Sequence, residues 1–395
     1  MINFDTVDKI TFLNEYWQKK PLVFRKAIPG FNNPITPDDL AGLALEEEFE
    51  SRIVHEIPEQ HPRWHVKYGP FIAKDFKSLP KTHWTLLVQG VDKLIPSVSQ
   101  LLQHFIFIPT WRIDDIMISY AVEQGSVGPH YDNYDVFLYQ AQGTRRWQLT
   151  TQGCHPENYL QDTDLRIMQQ FDTEQEFILE PGDMLYLPPH VAHHGVSLSE
   201  HCMTYSFGYR SYQGLELWNS LSEFLEENGE SLPYYRDPNW NQCNNTAAIP
   251  AQAIAHAKQL LLETLEDEQR LRQWFGSFVT RLDYPTEQLL PVPRSTADML
   301  SLEKFVLKLR GDIKALLREA TCRFAYYDDT PNQPGSCQLY INGKLWNTTG
   351  VTSELIHKIA NQCVLPQTDF INFLDHQENQ EFIHALWQQG WLEEI

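Results

Sequence analysis

The sequence contains no C-x-x-C pair: its six cysteines, Cys154, Cys202, Cys243, Cys322, Cys337 and Cys363, lie far apart along the chain. That pattern supports neither a zinc knuckle nor a disulfide framework, and reduced thiols are expected. The opening MINFDTVDKITFLNEYWQKK has acidic and polar residues where a secretion signal needs a basic and then an apolar run, and no later run approaches membrane-spanning length. A cytoplasmic location is expected. Two N-x-T matches, at Asn244 and Asn347, then carry no meaning for glycosylation. Internal repeats and low-complexity tracts are also missing, which excludes a solenoid. Basic residues are scarce as well, 31 Lys and Arg against 52 Asp and Glu, for a net charge of -21. Such a surface disfavours direct nucleic-acid binding and either serves solubility or steers the chain toward a basic partner.

What is present suffices for a full core. The 395 residues are 42% hydrophobic and 12% aromatic, enough for two or three domains. From Ile53 to about Arg210, short β-rich runs (WTLLVQ, DDIMISYAV, DVFLYQA, RRWQLT, MLYLPP, MTYSFGYR) recur between Gly, Pro and Asn turns, which suggests an antiparallel barrel or sandwich. The first fifty residues read as helical flanks. From about Gly214 the texture becomes helical, in LELWNSLSEFLEEN and then AQAIAHAKQLLLETLEDEQRLRQWFGSFVTRL. After the link YPTEQLLPVPRS, a helical pattern over 297–320 precedes two strand-like runs, the second turning at Asn342-Gly343, and then short helices. This mixture suits a winged helix. The expected division is 1–212, 213–293 and 294–395.

The stretch SVGPHYDNYDVF, residues 126–137, poses the chemical question. On a strand, side chains two apart share a face, so His130 and Asp132 would project together into the barrel. Downstream, EPGDMLYLPPHVAHHGV ends a strand at a Pro-Pro turn and offers His190, His193 and His194. Two histidines and a carboxylate on one face of an octahedral metal form the facial triad of non-haem iron(II) oxygenases. Such enzymes commonly use 2-oxoglutarate, whose far carboxylate needs a buried cation. Arg145, on the next strand, has the planar fork for it, while Arg146 would point the other way. A surface position for both arginines is the plainer alternative.

The segments YWQKKPLVFRKAI, WRIDDIMISYAV, SVGPHYDNYDVF, GTRRWQL and EPGDMLYLPP with its following histidine resemble the JmjC-type 2-oxoglutarate oxygenases. Among these the likeness is to the bacterial ribosomal oxygenases, which hydroxylate an arginine of the sixteenth large-subunit ribosomal protein. The resemblance implies a mainly β plus α chain: a double-stranded β-helix (cupin or jelly-roll) catalytic domain, a helical dimerisation domain and a winged-helix-like C-terminal domain. It implies iron(II) on His130, Asp132 and His193, with Arg145 on 2-oxoglutarate and O2 as second cosubstrate. Two departures stand out. The family usually has glycine where His190 stands, and an acidic residue where His194 follows the third ligand.

A substrate arginine needs a carboxylate, and Asp114 and Asp115 stand on the strand before the H-x-D motif, where alternation turns one of them inward. A solvent-facing pair is the plainer alternative. The C-terminal module from Ser295 carries 8 Lys and Arg against 13 Asp and Glu, unlike a DNA-binding winged helix. It would brace a dimer or meet a basic protein. Apolar stripes at Leu217, Leu221, Phe224, Leu260, Leu261 and Leu265 point to a homodimer. Three functions follow as alternatives: an arginine hydroxylase of a ribosomal protein, a lysine or arginine demethylase using the same chemistry, or a cupin-like binding protein without turnover.

Overall fold

A computed structural model describes residues 2–4, 7–229, 233–237, 247–295, 298–311, 313–330 and 333–395. Cys243 and Asn244 lie outside the described residues. Eleven strands build the N-terminal half: β1 Leu22–Phe24, β2 Ser51–Glu56, β3 Trp64–Tyr68, β4 Trp84–Val88, β5 Ile113–Ala121, β6 Val136–Gln142, β7 Arg145–Thr150, β8 Gln175–Leu179, β9 Met184–Leu187, β10 Ala192–Ser197 and β11 Cys202–Tyr209. Eight of them form one sheet in the order β1-β9-β6-β11-β5-β4-β2-β3, and β10-β7-β8 form a second. All the pairings are antiparallel.

The large sheet is buried on both faces, which is why its strands read as nearly continuous apolar runs. Outward residues Ile116, Ile118, Phe137, Tyr139, Met184, Tyr186, Tyr205 and Phe207 meet Phe12, Phe24, Phe105 and the rest of the N-terminal segment in one core. Phe137 alone meets the rings of Phe12, Trp17, Phe105 and Tyr186, so truncating it to alanine would cost about 3–5 kcal/mol. The inward alternates Val136, Leu138, Leu185 and Leu187 pack against Trp147, Leu149 and Leu179 of the small sheet. The inward alternates of β5 and β11, by contrast, are polar or small: Asp115, Met117, Ser119, Thr204, Ser206 and Gly208 line a cavity rather than a core.

The N-terminal fifty residues are not simply helical flanks. Helix α1, Pro37–Leu43, is closed by a capping box between Thr36 and Asp39, but β1 joins the edge of the large sheet through β9. Beyond the sheets follow α2 Gly214–Glu227, α3 Ala251–Leu265 and α4 Glu268–Thr280. The second helical run is therefore two helices: Asp267 caps α4 by accepting the Arg270 N–H at 3.0 Å. The C-terminal module contains α5 Leu302–Arg310, β12 Ala315–Arg318, β13 Phe324–Thr330, β14 Gln333–Ile341, β15 Lys344–Trp346, α6 Ser353–Asn361, β16 Val364–Pro366, α7 Gln377–Gln388 and β17 Leu392–Glu394.

The expected helix over 297–320 is thus overturned. It runs only from Leu302 to Arg310, and Gly311 ends it, after which residues 315–318 pair as the central strand between β16 and β17. Leu316 and its neighbours satisfy a buried core from either periodicity, and pairing partners far along the chain decide the outcome. The turn at Asn342-Gly343 stands as expected: both residues take positive φ, and β14 and β15 pair around it. Gly343 also donates its N–H to Thr280 Oγ1 at 3.0 Å, docking the hairpin on α4.

Candidate active site

The H-x-D pair does not sit on a strand, contrary to expectation. His130 makes an isolated bridge with His193, and Asp132 lies in the irregular chain that follows, just before a bend at Asn133 and Tyr134. The His193 N–H donates to the His130 carbonyl at 2.7 Å, the His130 N–H to the His193 carbonyl at 3.1 Å, and the His190 N–H to the Asp132 carbonyl at 2.9 Å. On the other side Met168 N–H donates to Pro129 O at 2.7 Å. Gly128 precedes this arrangement with φ +82, and a Cβ there would meet Ile167 at 2.9 Å, so glycine is required.

The ligating atoms of His130, Asp132 and His193 all lie within 4.8 Å of one another. Each imidazole is oriented from behind. His130 Nδ1 lies 2.9 Å from the Gly128 carbonyl and His193 Nδ1 3.2 Å from that of Val191; with Nδ1 as donor in both, Nε2 is left as a free base. His193 Nε2 is 3.7 Å from Asp132 Oδ2. Burial, and next the neighbouring His130, push the His193 imidazole down to about 4, so it is neutral, as a metal ligand must be. His194 takes the opposite face of β10, where Phe171 meets its ring edge-on. It is also held down to about 4, by burial first, but it is not among the clustered donors.

His190, at the position where the resembled family has glycine, adopts φ +61. Left-handed backbone explains the usual glycine. Here the imidazole stacks on Tyr131 at 5.9 Å, a contact glycine would lack.

The triad opens on a cavity of about 630 Å³ between the two sheets. Arg145 is in its wall and only 3% exposed. Among the described residues its Nε and Nη2 have no hydrogen-bond partner, and its guanidinium lies 5.6 Å from the Trp147 ring centroid. A buried cation without a counter-charge is costly, so the cavity is built to receive an anion. Arg146 is half-exposed on the alternate face.

Of the acid pair, Asp115 faces inward and is buried, while Asp114 stands at the rim. Neither is free. Asp115 Oδ2 accepts from Gln89 Nε2 and the Gly90 N–H, each at 2.7 Å. Asp114 Oδ1 takes Arg210 Nε at 3.1 Å and lies 3.8 Å from Arg323 Nη2 of the C-terminal module. Behind Asp115, a second buried carboxylate, Asp92, accepts the Ile116 N–H at 2.6 Å. Burial raises both Asp92 and Asp115 above the usual range, reinforced at Asp92 by the charge of Asp115 and at Asp115 by that of Asp114. The cavity also uses residues the sequence reading passed over: Arg52, Tyr134, Thr204 and Ser206. For the last two a signal existed, since Thr, Ser and Gly alternate with Tyr, Phe and Tyr in TYSFGY.

Two facing antiparallel sheets with a His-Asp-His cluster and a buried arginine in one cavity define the class of double-stranded β-helix oxygenases. The JmjC domain model matches residues 100–217, and a ROXA-like winged helix model matches residues 263–393. The ribosomal protein uL16 3-hydroxylase of Escherichia coli K12 is 36% identical over 282 residues, 71% of this chain and 74% of that protein. A probable ribosomal oxygenase of Haemophilus influenzae is 31% identical over 368 residues, 89% of this chain and 85% of the other. The X-ray structure of E. coli YcfD superposes with a TM-score of 0.84 at 30% identity, covering 99% of both chains. YcfD in complex with cobalt and 2-oxoglutarate superposes at 0.81 with 30% identity, over 98% of both. The chain belongs to the ribosomal oxygenases, a family of JmjC-type 2-oxoglutarate oxygenases.

Proposed function

We propose that this protein hydroxylates an arginine side chain of the sixteenth large-subunit ribosomal protein, using O2 and 2-oxoglutarate at an iron(II) held by His130, Asp132 and His193. The observation that carries this reading is the coincidence, in one cavity, of three clustered metal donors and a buried arginine whose Nε and Nη2 find no partner among the described residues. The donor set fits iron(II): two neutral imidazoles, one carboxylate, and room on the cavity side for further ligands. When bound, iron(II) supplies oxygen activation coupled to oxidation of 2-oxoglutarate to succinate and CO2, one oxygen atom going to succinate and one into a substrate C–H bond.

The chain's own residues do the rest. The carbonyls of Gly128 and Val191 hold both imidazoles in one orientation. Arg145 grips the far carboxylate of 2-oxoglutarate bidentately. Asp115 receives the substrate guanidinium inside the cavity, and Asp114, braced by Arg210 and Arg323, receives it at the rim. A cation held there leaves the carbons of the arginine stem facing the triad, so orientation selects the reacting carbon. The acidic surface steers a basic ribosomal protein to the site, with no direct contact to nucleic acid.

We further propose the division 1–212, 213–293 and 294–395, and a homodimer formed through the middle part. Helix α3 buries none of its 15 residues, and Ile254, Leu261 and Leu262 stand 45–65% exposed. No helix among the described residues is long and apolar enough to cross a membrane; action on a ribosomal protein, as in the E. coli relative, supports work in the cytoplasm. Intact-mass measurement of the ribosomal protein after incubation with enzyme, iron(II) and 2-oxoglutarate tests the activity. Gain of one oxygen is the expected result. Loss of a methyl from a methylated substrate would favour demethylation instead, and cosubstrate binding without turnover a binding protein.

A further inference from the structure

Away from the cavity, a second mixed set of donors comes together in the C-terminal module. Asp328 on β13, Cys337 on β14 and His357 on α6 each offer one ligating atom, all within 4.8 Å of one another. Asp328 and Cys337 are register partners, so their side chains leave the same face of the hairpin. Helix α6 presents His357 to that face. Its Nε2 lies 2.6 Å from Asp328 Oδ1, and its ring stacks on Tyr326 with centroids 4.7 Å apart. Tyr326 is tied back to the same helix, its hydroxyl accepting from Asn361 Nδ2 at 3.0 Å. The three donors differ in depth: Cys337 is buried in the apolar core, His357 is partly covered, and Asp328 is half-exposed. A cation can therefore enter from the Asp328 side and keep a water in its outer position.

We propose that Asp328, Cys337 and His357 form a binding site for a zinc-class divalent cation, separate from the oxygenase centre. One sulfur, one imidazole nitrogen and one carboxylate oxygen make three corners of a tetrahedron, the donor mixture zinc prefers. Neighbouring sequence cannot announce such a site, because its donors lie on three elements and far apart along the chain. Binding forms a metal–sulfur bond and sends the thiol proton to solvent, with no change of oxidation state. The ion would fasten helix α6 to the β13–β14 hairpin.

Cobalt(II) added to the full-length protein is the probe. Thiolate coordination produces a near-ultraviolet charge-transfer band, to which the His130, Asp132 and His193 set, lacking sulfur, contributes nothing. The expected result is that band, with uptake of a second cobalt equivalent and its displacement by zinc. Cys337→Ser should abolish it, and His357→Gln, at a partly covered side chain outside the buried core, should weaken cobalt binding at this site by roughly tenfold or more. Hydroxylation by His357→Gln should match wild type. Absence of the band from wild type, or its persistence unchanged in His357→Gln and Asp328→Asn, overturns the site and leaves an ordinary ion pair beside a buried thiol.

Discussion

The backbones of His130 and His193 bond to each other in both directions, at 2.7 and 3.1 Å, although 62 residues separate them in the chain. This two-bond bridge brings both imidazoles to one place and sets which histidine of the second motif faces inward. Its neighbour His194 necessarily faces out, because successive residues of β10 alternate.

Replacing His130, Asp132 or His193 by alanine should reduce 2-oxoglutarate decarboxylation to background while circular dichroism still reports the native fold. His194→Ala should keep most of its turnover. If His194→Ala is dead and His193→Ala active, the ligand is the wrong histidine. A strong iron chelator should silence the wild type and added iron(II) restore it.

Arg145→Ala should raise the 2-oxoglutarate concentration needed for half-maximal rate by roughly ten- to a hundredfold, since a charge-assisted hydrogen bond is worth about 1.5–3 kcal/mol. Arg145→Lys should fall between, keeping charge without the fork. An unchanged cosubstrate requirement in Arg145→Ala would remove it from that role.

For the acid pair, the informative comparison is between cosubstrate turnover and substrate hydroxylation. Asp115→Ala and Asp114→Ala should lower hydroxylation of the ribosomal protein strongly while uncoupled 2-oxoglutarate turnover and iron binding change little. Arg323→Ala should reproduce part of the Asp114 effect, as it removes one brace of that carboxylate. A peptide with arginine replaced by lysine should gain little oxygen; equal reaction of that peptide would sink the arginine assignment.

Asp92 and Asp115 bind protons more tightly in the folded than in the unfolded chain, because burial, and next the charge of Asp115 on Asp92 and of Asp114 on Asp115, raise both. Stability therefore falls as pH rises between about 4 and 7, the window in which the native state holds the extra protons. Asp92→Asn, which keeps an acceptor for the Ile116 N–H, should melt at a higher temperature than wild type above pH 7 and show no such advantage near pH 4. Thermal melts across that range decide it.

Light scattering at micromolar concentration should return twice the chain mass of 46.1 kDa. Charged substitutions at Leu261 and Leu262 should shift the mass toward one chain without unfolding the protein, since neither side chain is buried in a single chain. A single-chain mass for the wild type would exclude the dimer.

Much of the chemistry was legible in the linear order of residues. Short β-rich runs between turn residues located most strands, Asn342-Gly343 marked its hairpin, and the H-x-D pair with the histidines after Pro188-Pro189 supplied the candidate metal donors, because residue type and local spacing carry that information. Four matters were settled only in three dimensions. Residues 315–318 became a strand rather than a helix because β16 and β17 supply hydrogen-bond partners from beyond position 363. Asp114 and Asp115, adjacent in sequence, parted into rim and interior because β5 alternates and Arg210, Arg323, Gln89 and Gly90 take up their oxygens. Arg145 became a buried cation whose Nε and Nη2 find no partner among the described residues because two sheets close over it, and Asp328, Cys337 and His357 met because a helix folds back on a hairpin. Each depends on contacts between residues distant in the chain, whose energies no local pattern encodes.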